Sequence, residues 1–315
     1  MSIDIDLIRR VRGRIDPAFL NSPLLRPTAL GEALGCSLAL KVETLNPIRS
    51  FKGRGTEALM DSLSPAPRHV VATSSGNFGQ GLAYAATRRG VTCTIFSGVN
   101  DNPLKIDAMR KLGAEVRLVA DGVDSKAEAR RHAEAIGALL VEDGAHPEIA
   151  AGAGTLAMEL LEAFPQPEIA VVQIGDGALI SGVGSWIRAM SPTTRIIGVT
   201  AAGAPAMRVS LEQGQSVRIA CETIADGLAI QRPVPSALGE IRAVVDAVIE
   251  VEEDAIIDGV ALLLKAGIMA EPSAAVGVAA IMRNAETFRG RSVAAIVTGS
   301  NIRPELLREA VRRDR

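Results

Sequence analysis

Residues 69–97, HVVATSSGNFGQGLAYAATRRGVTCTIFS, decide the fold because they predict a strand, a turn, a helix and a second strand in succession. The apolar run "HVVAT" is typical of a buried strand, and "VTCTIFS" is another. The helix between them, "NFGQGLAYAATRRG", is expected to end at Gly90, since glycine is favoured just past a helix C-terminus. Such strand–helix–strand units build parallel sheets that helices cover on both faces.

The same alternation continues on both sides of this stretch. Further strands are predicted at "SLALKVE", "AEVRLVA", "EIAVVQIG", "RIIGVTA" and "RSVAAIVTGS". Further helices are predicted at "NPLKIDAMRKLG", "SKAEARRHAEAIG" and "GVGSWIRAM". The two runs, over residues 68–145 and 165–300, predict two α/β lobes with parallel sheets.

Composition excludes several classes of function. The 315-residue chain is 48% apolar and 22% charged, with a formal net charge of −2, so nothing attracts it to nucleic acid or to an anionic membrane. Aromatic residues, at 3%, are too few for a base-stacking surface. No stretch reaches the roughly 18 apolar residues of a membrane helix, and the N-terminus lacks a signal-peptide core. We therefore expect a cytoplasmic protein without nucleic-acid or membrane partners.

Cysteine and histidine predict no metal site. The three cysteines, Cys36, Cys93 and Cys221, are far apart and odd in number, which is typical of buried thiols in a reducing compartment. The three histidines are equally dispersed, and no HExxH or CxxC motif occurs. We expect no bound metal.

Polar residues follow the strand "HVVAT", where ligands bind in open parallel sheets. Ser74, Ser75, Gly76 and Asn77 lead directly into the predicted helix. Small hydroxyl groups and free helix N-terminal amides can hold a carboxylate or a phosphate. The alternative is an ordinary helix N-cap, in which serine and asparagine are favoured anyway.

A second turn, "GDGALISGVG" at residues 175–184, follows the strand "EIAVVQI". Its glycines can expose backbone N–H groups to a phosphate, or they can simply allow close packing of strand and helix. A dinucleotide site would need an acid at the end of the next strand, where Thr200 stands instead. Because GxxxxGK[ST] is also missing, a phosphate outside a nucleotide fits better.

Lys52, in "NPIRSFKGRG" at residues 46–55, supplies the reactive group. A lysine amine can form a Schiff base with an aldehyde cofactor, although a lone loop lysine is usually a solvated surface charge. A third turn, "TGSN", begins with Thr298 and offers neutral hydroxyls. A lysine, a phosphate-binding turn and an anion-binding serine turn together are the parts that pyridoxal phosphate requires.

Seven motifs carry a family resemblance over nearly the whole chain. They are "SFKGRGT", "TSSGNFGQGLAYAA", "AGAGTLAMELL", "GDGALISG", "ETIADGLA", "EPSAAVGVAA" and "TGSN". In this order they resemble the motifs of serine/threonine dehydratases, which belong with serine racemase to the fold-type II, tryptophan-synthase-β-like enzymes of pyridoxal phosphate. The resemblance implies a large domain of residues 1–67 and 146–315, a small domain of residues 68–145, an active site between them and a homodimer.

The resemblance also assigns roles to residues. Lys52 resembles the Schiff-base lysine, Phe51 the residue packed on the cofactor ring, and Thr298 the hydroxyl partner of the pyridine nitrogen. The substrate loop corresponds to Ser74, Ser75, Gly76 and Asn77, of which Asn77 would also contact the cofactor. The phosphate cup corresponds to Gly175, Asp176, Gly177, Ala178 and Leu179.

The implied activity is an ammonia-lyase (dehydratase) reaction on a small β-hydroxy amino acid: threonine, serine or 3-hydroxyaspartate. It would give a 2-oxo acid and ammonia. A racemase, a cysteine-synthase-like β-replacement enzyme and, on the same scaffold, a non-catalytic binding protein remain alternatives. Racemisation needs acid/base groups on both faces of Cα, and Ser75 is the candidate opposite Lys52.

Four positions depart from the family pattern. Asp176 and Ala178 stand in a loop that is usually nearly all glycine, and a carboxylate beside a phosphate must point away or meet a cation. Phe78 stands where many relatives have histidine. Thr200 stands where serine racemases have a metal-binding acid, which again predicts no metal.

Overall fold

A computed structural model describes residues 2–313 and contains ten strands in this range. In chain order, β1 to β10 are Leu24–Leu25, Ser37–Val42, His69–Thr73, Thr92–Gly98, Glu115–Val119, Leu139–Val141, Ile169–Gln173, Arg195–Ala201, Ala247–Val251 and Ser292–Val297. Two short 3₁₀ helices cover Pro17–Phe19 and Asp226–Leu228.

Fourteen α-helices surround these strands within the same residues. In chain order, α1 to α14 are Ile5–Arg12, Thr28–Leu34, Lys52–Ser62, Asn77–Arg88, Pro103–Lys111, Ser125–Ile136, Pro147–Ala163, Ala178–Met190, Ala206–Gln213, Pro235–Val244, Glu253–Lys265, Pro272–Arg283, Ala285–Phe288 and Pro304–Arg313. The longest, α7, has 17 residues. In the described part of the chain no helix is long and apolar enough to cross a bilayer.

The strands form two separate sheets. The first has six strands in the order β1-β2-β10-β7-β8-β9, and only β1 runs antiparallel to its neighbour. The second has four parallel strands in the order β5-β4-β3-β6. The predicted α/β class with two parallel sheets is therefore confirmed. The domain boundaries, at residues 67/68 and 145/146, stay a prediction.

Local signals fix where the helices beside the smaller sheet begin and end. The Asn102 side chain accepts a hydrogen bond from the Leu104 N–H at 3.0 Å, which caps α5. Asp124 caps α6 in the same way through the N–H groups of its first turn. Gly90 has a φ of +66°, so the left-handed residue predicted after α4 is present.

Several elements were not predicted or begin elsewhere, and three of these differences have a clear physical reason. Helix α8 begins at Ala178, so its first turn coincides with the end of the glycine-rich stretch. Strand β6 has only three residues, too few for a periodic pattern. Strand β9, "AVIEV", lies at the sheet edge and is only partly buried, so its pattern is weak.

Helices α7 and α8 pack against each other so closely that glycine is required at their contact. A Cβ atom on Gly182 would lie 1.9 Å from the Ala150 carbonyl oxygen, a backbone atom that a rotamer change cannot move. We expect Gly182→Ala to lower the free energy of unfolding by about 1–3 kcal/mol, since overpacking forces the helices apart. Urea denaturation measures this, with Gly13→Ala as control, because a Cβ there meets its nearest atom at 3.9 Å. A loss of stability equal to the control's would contradict the prediction.

A buried ionic network joins three elements of the fold. Arg54, on α3, has no exposed side-chain surface. Its guanidinium lies 2.8 Å from the Glu43 carboxylate and 2.7 Å from the Glu159 carboxylate, and Lys41 Nζ is 2.6 Å from Glu159. Burial alone would raise the pKa of Glu159, but Arg54 and Lys41 lower it to about 2. The network therefore fixes α3, which begins at Lys52, to β2 and α7.

Candidate active site

One cavity lies between the two sheets, where the carboxyl ends of β3, β6, β7 and β10 face each other. Its volume is about 760 Å³. Every site residue predicted from the sequence lines it. They are Phe51, Lys52, Ser74, Ser75, Gly76, Asn77, Gly175, Asp176, Gly177, Ala178, Leu179 and Thr298. The sequence therefore predicted which residues come together, while their individual roles stay predictions.

Lys52 begins α3 and extends its amine into the cavity. Its Nζ donates a hydrogen bond to Asp143 Oδ2, and the two side chains are 15% and 13% exposed. The same nitrogen lies 5.2 Å from the centre of the Phe51 ring and 5.9 Å from that of Phe78. One carboxylate thus holds the amine at the cavity wall, close to both aromatic rings.

The turn of residues 74–77 connects β3 to α4 and exposes one hydroxyl. Ser74 Oγ accepts hydrogen bonds from the Gly76 N–H at 3.1 Å and from the Gly79 N–H at 2.9 Å, so it caps the helix. Its O–H hydrogen remains available to a ligand. Ser75 is exposed and has no side-chain partner among residues 2–313. A Cβ on Gly76 would lie 2.2 Å from Lys105 Cδ, so glycine lets the lysine pass beneath the turn.

Behind this turn, Lys105 of α5 joins two acids from the other side of the cavity. Its Nζ lies 2.8 Å from Asp226 Oδ1 and 2.7 Å from Glu271 Oε2. Burial alone would lower the pKa of Lys105, but Glu271 and Asp226 raise it. Burial also raises the pKa of Glu271, against the opposing effect of Lys105. The cluster ties α5, beside the smaller sheet, to the segment that precedes α12.

Asn77 is held by the same cluster. Its Nδ2 donates to Glu271 Oε1 at 2.5 Å, and its Oδ1 accepts from Asn301 Nδ2 at 2.9 Å. One amide hydrogen of Asn77 is left for a ligand. The contact of Asn77 with a cofactor stays a prediction, and the geometry leaves room for it.

The turn of residues 175–179 connects β7 to α8. Gly177 has a φ of +105°, a conformation that side chains rarely adopt. The backbone N–H groups of Gly177, Ala178 and Leu179 have no hydrogen-bond acceptor within residues 2–313. They point out of the N-terminus of a 13-residue helix, whose dipole favours an anion there.

Thr298 follows β10 and lies beside the start of α3. Its carbonyl oxygen accepts a hydrogen bond from the Phe51 N–H at 3.0 Å. The residue is 5% exposed, and its hydroxyl has no partner in the described part of the chain. The hydroxyl is therefore free to bond a ligand that lies next to Lys52.

Four charged residues of the cavity, which pair with one another or with a predicted site residue, carried no prediction. Asp226 and Glu271 lie in the quoted motifs "ETIADGLA" and "EPSAAVGVAA", but spacing gives them no role. Lys105 is one of several charges on a predicted helix. Asp143 lies just after β6, at the ligand edge of the sheet. It was missed because the short strand β6 was not predicted.

Metal-binding groups are not brought together here. Thr200 is buried near the end of β8, and its hydroxyl is unpartnered. Over residues 2–313 there is no group of three or more His, Cys, Asp or Glu side chains that could hold a metal ion. That the protein works without a metal stays a prediction.

Comparison with known proteins gives the family. A family model described as "Pyridoxal-phosphate dependent enzyme" matches residues 15–299. The L-threonine ammonia-lyase of Thermotoga maritima is 35% identical over 305 residues, which are 95% of this chain and 76% of that protein. The structure of maize serine racemase has a TM-score of 0.89 and 28% identity, covering 99% of this chain and 98% of that one. For threonine deaminase isoform 2 of Solanum lycopersicum the TM-score is 0.88 and the identity 27%, with 98% and 94% covered. The family match over most of the chain and the 35% identity to the Thermotoga maritima protein show that the chain belongs to the pyridoxal-phosphate dependent enzymes.

Proposed function

We propose that the protein is a pyridoxal-phosphate dependent ammonia-lyase acting on a small β-hydroxy amino acid of the threonine, serine or 3-hydroxyaspartate type. The products would be a 2-oxo acid and ammonia. The observation that carries the proposal is the position of Lys52, whose amine shares one cavity with the 74–77 and 175–179 turns. The ammonia-lyase names of its relatives, at 35% and 34% identity, support the reaction type.

The residues present fit the cofactor. The unpartnered N–H groups of the 175–179 turn match a phosphate, and the Lys52 amine matches an aldehyde. Asp143 Oδ1 is buried without a hydrogen-bond partner, so this carboxylate can accept a further hydrogen bond while its Oδ2 holds Lys52. Pyridoxal phosphate supplies the electron sink for the reaction, while the protein supplies position and polarity.

The protein's own groups would bind the amino acid and move its α-proton. The N–H groups of Asn77 and Phe78, which have no acceptor within residues 2–313, and the exposed Ser75 hydroxyl would suit the substrate carboxylate. The Lys52 amine would take the proton at Cα, and Asp143 would steady the lysine in its charged form. Thr298 would offer its free hydroxyl to the cofactor's ring nitrogen.

Racemisation is the second candidate, and Ser75 is the observation that favours it. This exposed hydroxyl on the cavity wall, which has no side-chain partner among residues 2–313, could exchange a proton with Cα if the substrate lies between it and Lys52. Maize serine racemase shares the fold. A β-replacement activity and a role in binding alone remain weaker alternatives.

The oligomer, the location and the partners belong to the same proposal. We propose a cytoplasmic homodimer, as the family resemblance implies, with a small amino acid as its only substrate partner. The formal net charge of −2 supports the expectation that neither nucleic acid nor an anionic membrane is bound.

A panel of β-hydroxy amino acids tests the proposed reaction. Holoenzyme given L-threonine, L-serine and 3-hydroxyaspartate should release 2-oxo acid and ammonia in equal amounts from at least one of them. The preference among them should be modest if the side-chain pocket is apolar, because one methylene is worth about 1–3 kcal/mol. D-serine formation without 2-oxo acid would favour the racemase, and turnover only with added sulfide would favour β-replacement. No reaction with any of them, with cofactor bound, would contradict all three activities.

A further inference from the structure

Asp176 is an acidic side chain in a turn that is otherwise built to hold an anion. It is half-buried and lines the cavity, and no hydrogen bond or ion pair holds its carboxylate among residues 2–313. The loop after β6 packs directly on it, since a Cβ on Gly144 would lie 3.2 Å from both Cβ and the carbonyl oxygen of Asp176. This contact brings Asp143 to the same wall of the cavity.

The charges that face Asp176 come from three elements. Asp143 and Glu142 lie on the loop after β6, Lys52 on α3 and Lys126 on α6. Helix α10 packs on Gly177 through the apolar side chains of Ala237 and Ile241, and its acid Glu240 interacts with Ser181 of α8. Lys52 is already paired with Asp143, and Lys126 is an exposed side chain. Neither lysine therefore forms an ion pair with Asp176 in the part of the chain that the structure describes.

The Asp176 carboxyl changes its protonation state at a pH not far below 7. Burial is the main cause and Asp143 the second, and together they raise the pKa of Asp176 to about 6, against the opposing effect of Lys52. A phosphate dianion held by the neighbouring N–H groups adds negative charge at close range. A further negative charge must raise that pKa again, since it disfavours the ionised carboxyl.

We propose that Asp176 takes up a proton from solvent when the cofactor phosphate enters the 175–179 turn, and that its neutral carboxyl then donates a hydrogen bond inside the cup. This rests on the proposed cofactor site but not on which reaction the enzyme catalyses. Protonation removes the negative charge of Asp176 beside the phosphate, so no cation is needed to balance it. It also makes cofactor binding dependent on pH.

The sign of this dependence follows from linkage. Below about pH 6 the carboxyl of the free protein already carries its proton, so binding takes up none. Above that pH the free protein is ionised and the complex is protonated, so one proton binds with each cofactor. The dissociation constant should therefore rise up to about tenfold for each pH unit between the two pKa values.

The test is titration of the full-length chain, prepared without cofactor, with pyridoxal 5′-phosphate from about pH 6 to about pH 8. Calorimetry in buffers of different ionisation enthalpy counts the protons taken up, and the visible absorbance of the bound cofactor gives its dissociation constant. Asp176→Asn keeps the shape and removes the titration. Asp176→Gly, which removes the side chain altogether, serves if the first variant is unstable. Glu142→Gln is the matched control, because it removes a neighbouring acid of the same wall.

We expect the wild type and the Glu142→Gln variant to take up nearly one proton more than either Asp176 variant near pH 8. Both Asp176 variants should then bind pyridoxal 5′-phosphate about 10- to 100-fold more tightly than the wild type at that pH, and about equally at pH 6. Equal proton uptake in all four proteins would overturn the proposal while leaving the cofactor site intact. Absence of any cofactor binding by the wild type would overturn the proposed function as well.

Discussion

Lys52→Ala should lower the rate of 2-oxo acid release at least about 10³-fold, because general acid–base catalysis by a positioned group contributes roughly 10²–10⁴-fold. The variant also loses the amine that would bond to the cofactor aldehyde, so the two losses should combine. Lys52 is the cavity lysine that lies between Phe51 and Phe78, paired to Asp143. Its removal should leave the fold intact, since the side chain is partly exposed and lies at the first residue of α3.

The matched control is Lys126→Ala. Lys126 lines the same cavity, but it is exposed, and its side chain makes no hydrogen bond or ion pair among residues 2–313. The control should keep most of the wild-type rate. Borohydride should fix the cofactor covalently in the wild type and in Lys126→Ala, and should not do so in Lys52→Ala. A Lys52→Ala variant that keeps a tenth of the rate or more would show that another amine does the chemistry.

Much of the fold and of the cavity could be predicted, and the physical reason is the same for both. A buried parallel strand is a continuous apolar run, and its carboxyl end marks the ligand edge of the sheet. Three such runs led to Ser75, Gly175 and Thr298, which do line one cavity.

Long-range charge pairing could not be predicted, because no local pattern encodes it. Asp143 lies 91 positions from Lys52 in sequence, and Glu271 lies 194 from Asn77. Strand β6 is too short to signal that Asp143 faces the ligand edge. The burial of Arg54 could not be predicted either. The stretch "SFKGRGT" has the polar composition of a loop, yet eight of the eleven residues of α3 are buried.

Arg54→Met should lower the free energy of unfolding by about 3–5 kcal/mol, the usual result of removing one partner from a buried ionic group. Glu43 and Glu159 would lose the guanidinium that bonds to both, and each would remain almost fully buried. Methionine fills much of the arginine's volume, so the loss would come from uncompensated charge more than from a cavity. Urea denaturation without cofactor measures it and avoids stabilisation by binding.

Arg14→Met is the control for this prediction. Arg14 pairs with Asp61 at 3.1 Å, but the two side chains are 58% and 33% exposed, so its loss should cost less than about 1 kcal/mol. Glu159, left with Lys41 as its remaining cationic partner, adds a pH signature. Its pKa, held at about 2, should rise toward the value that burial alone favours, so the variant should recover part of its stability in acid while the wild type loses stability there. Equal losses in the two variants would mean that the network is dispensable. A large loss confined to Arg54→Met would show that the ion pairs of Arg54 with Glu43 and Glu159 hold α3, and with it Lys52, in place.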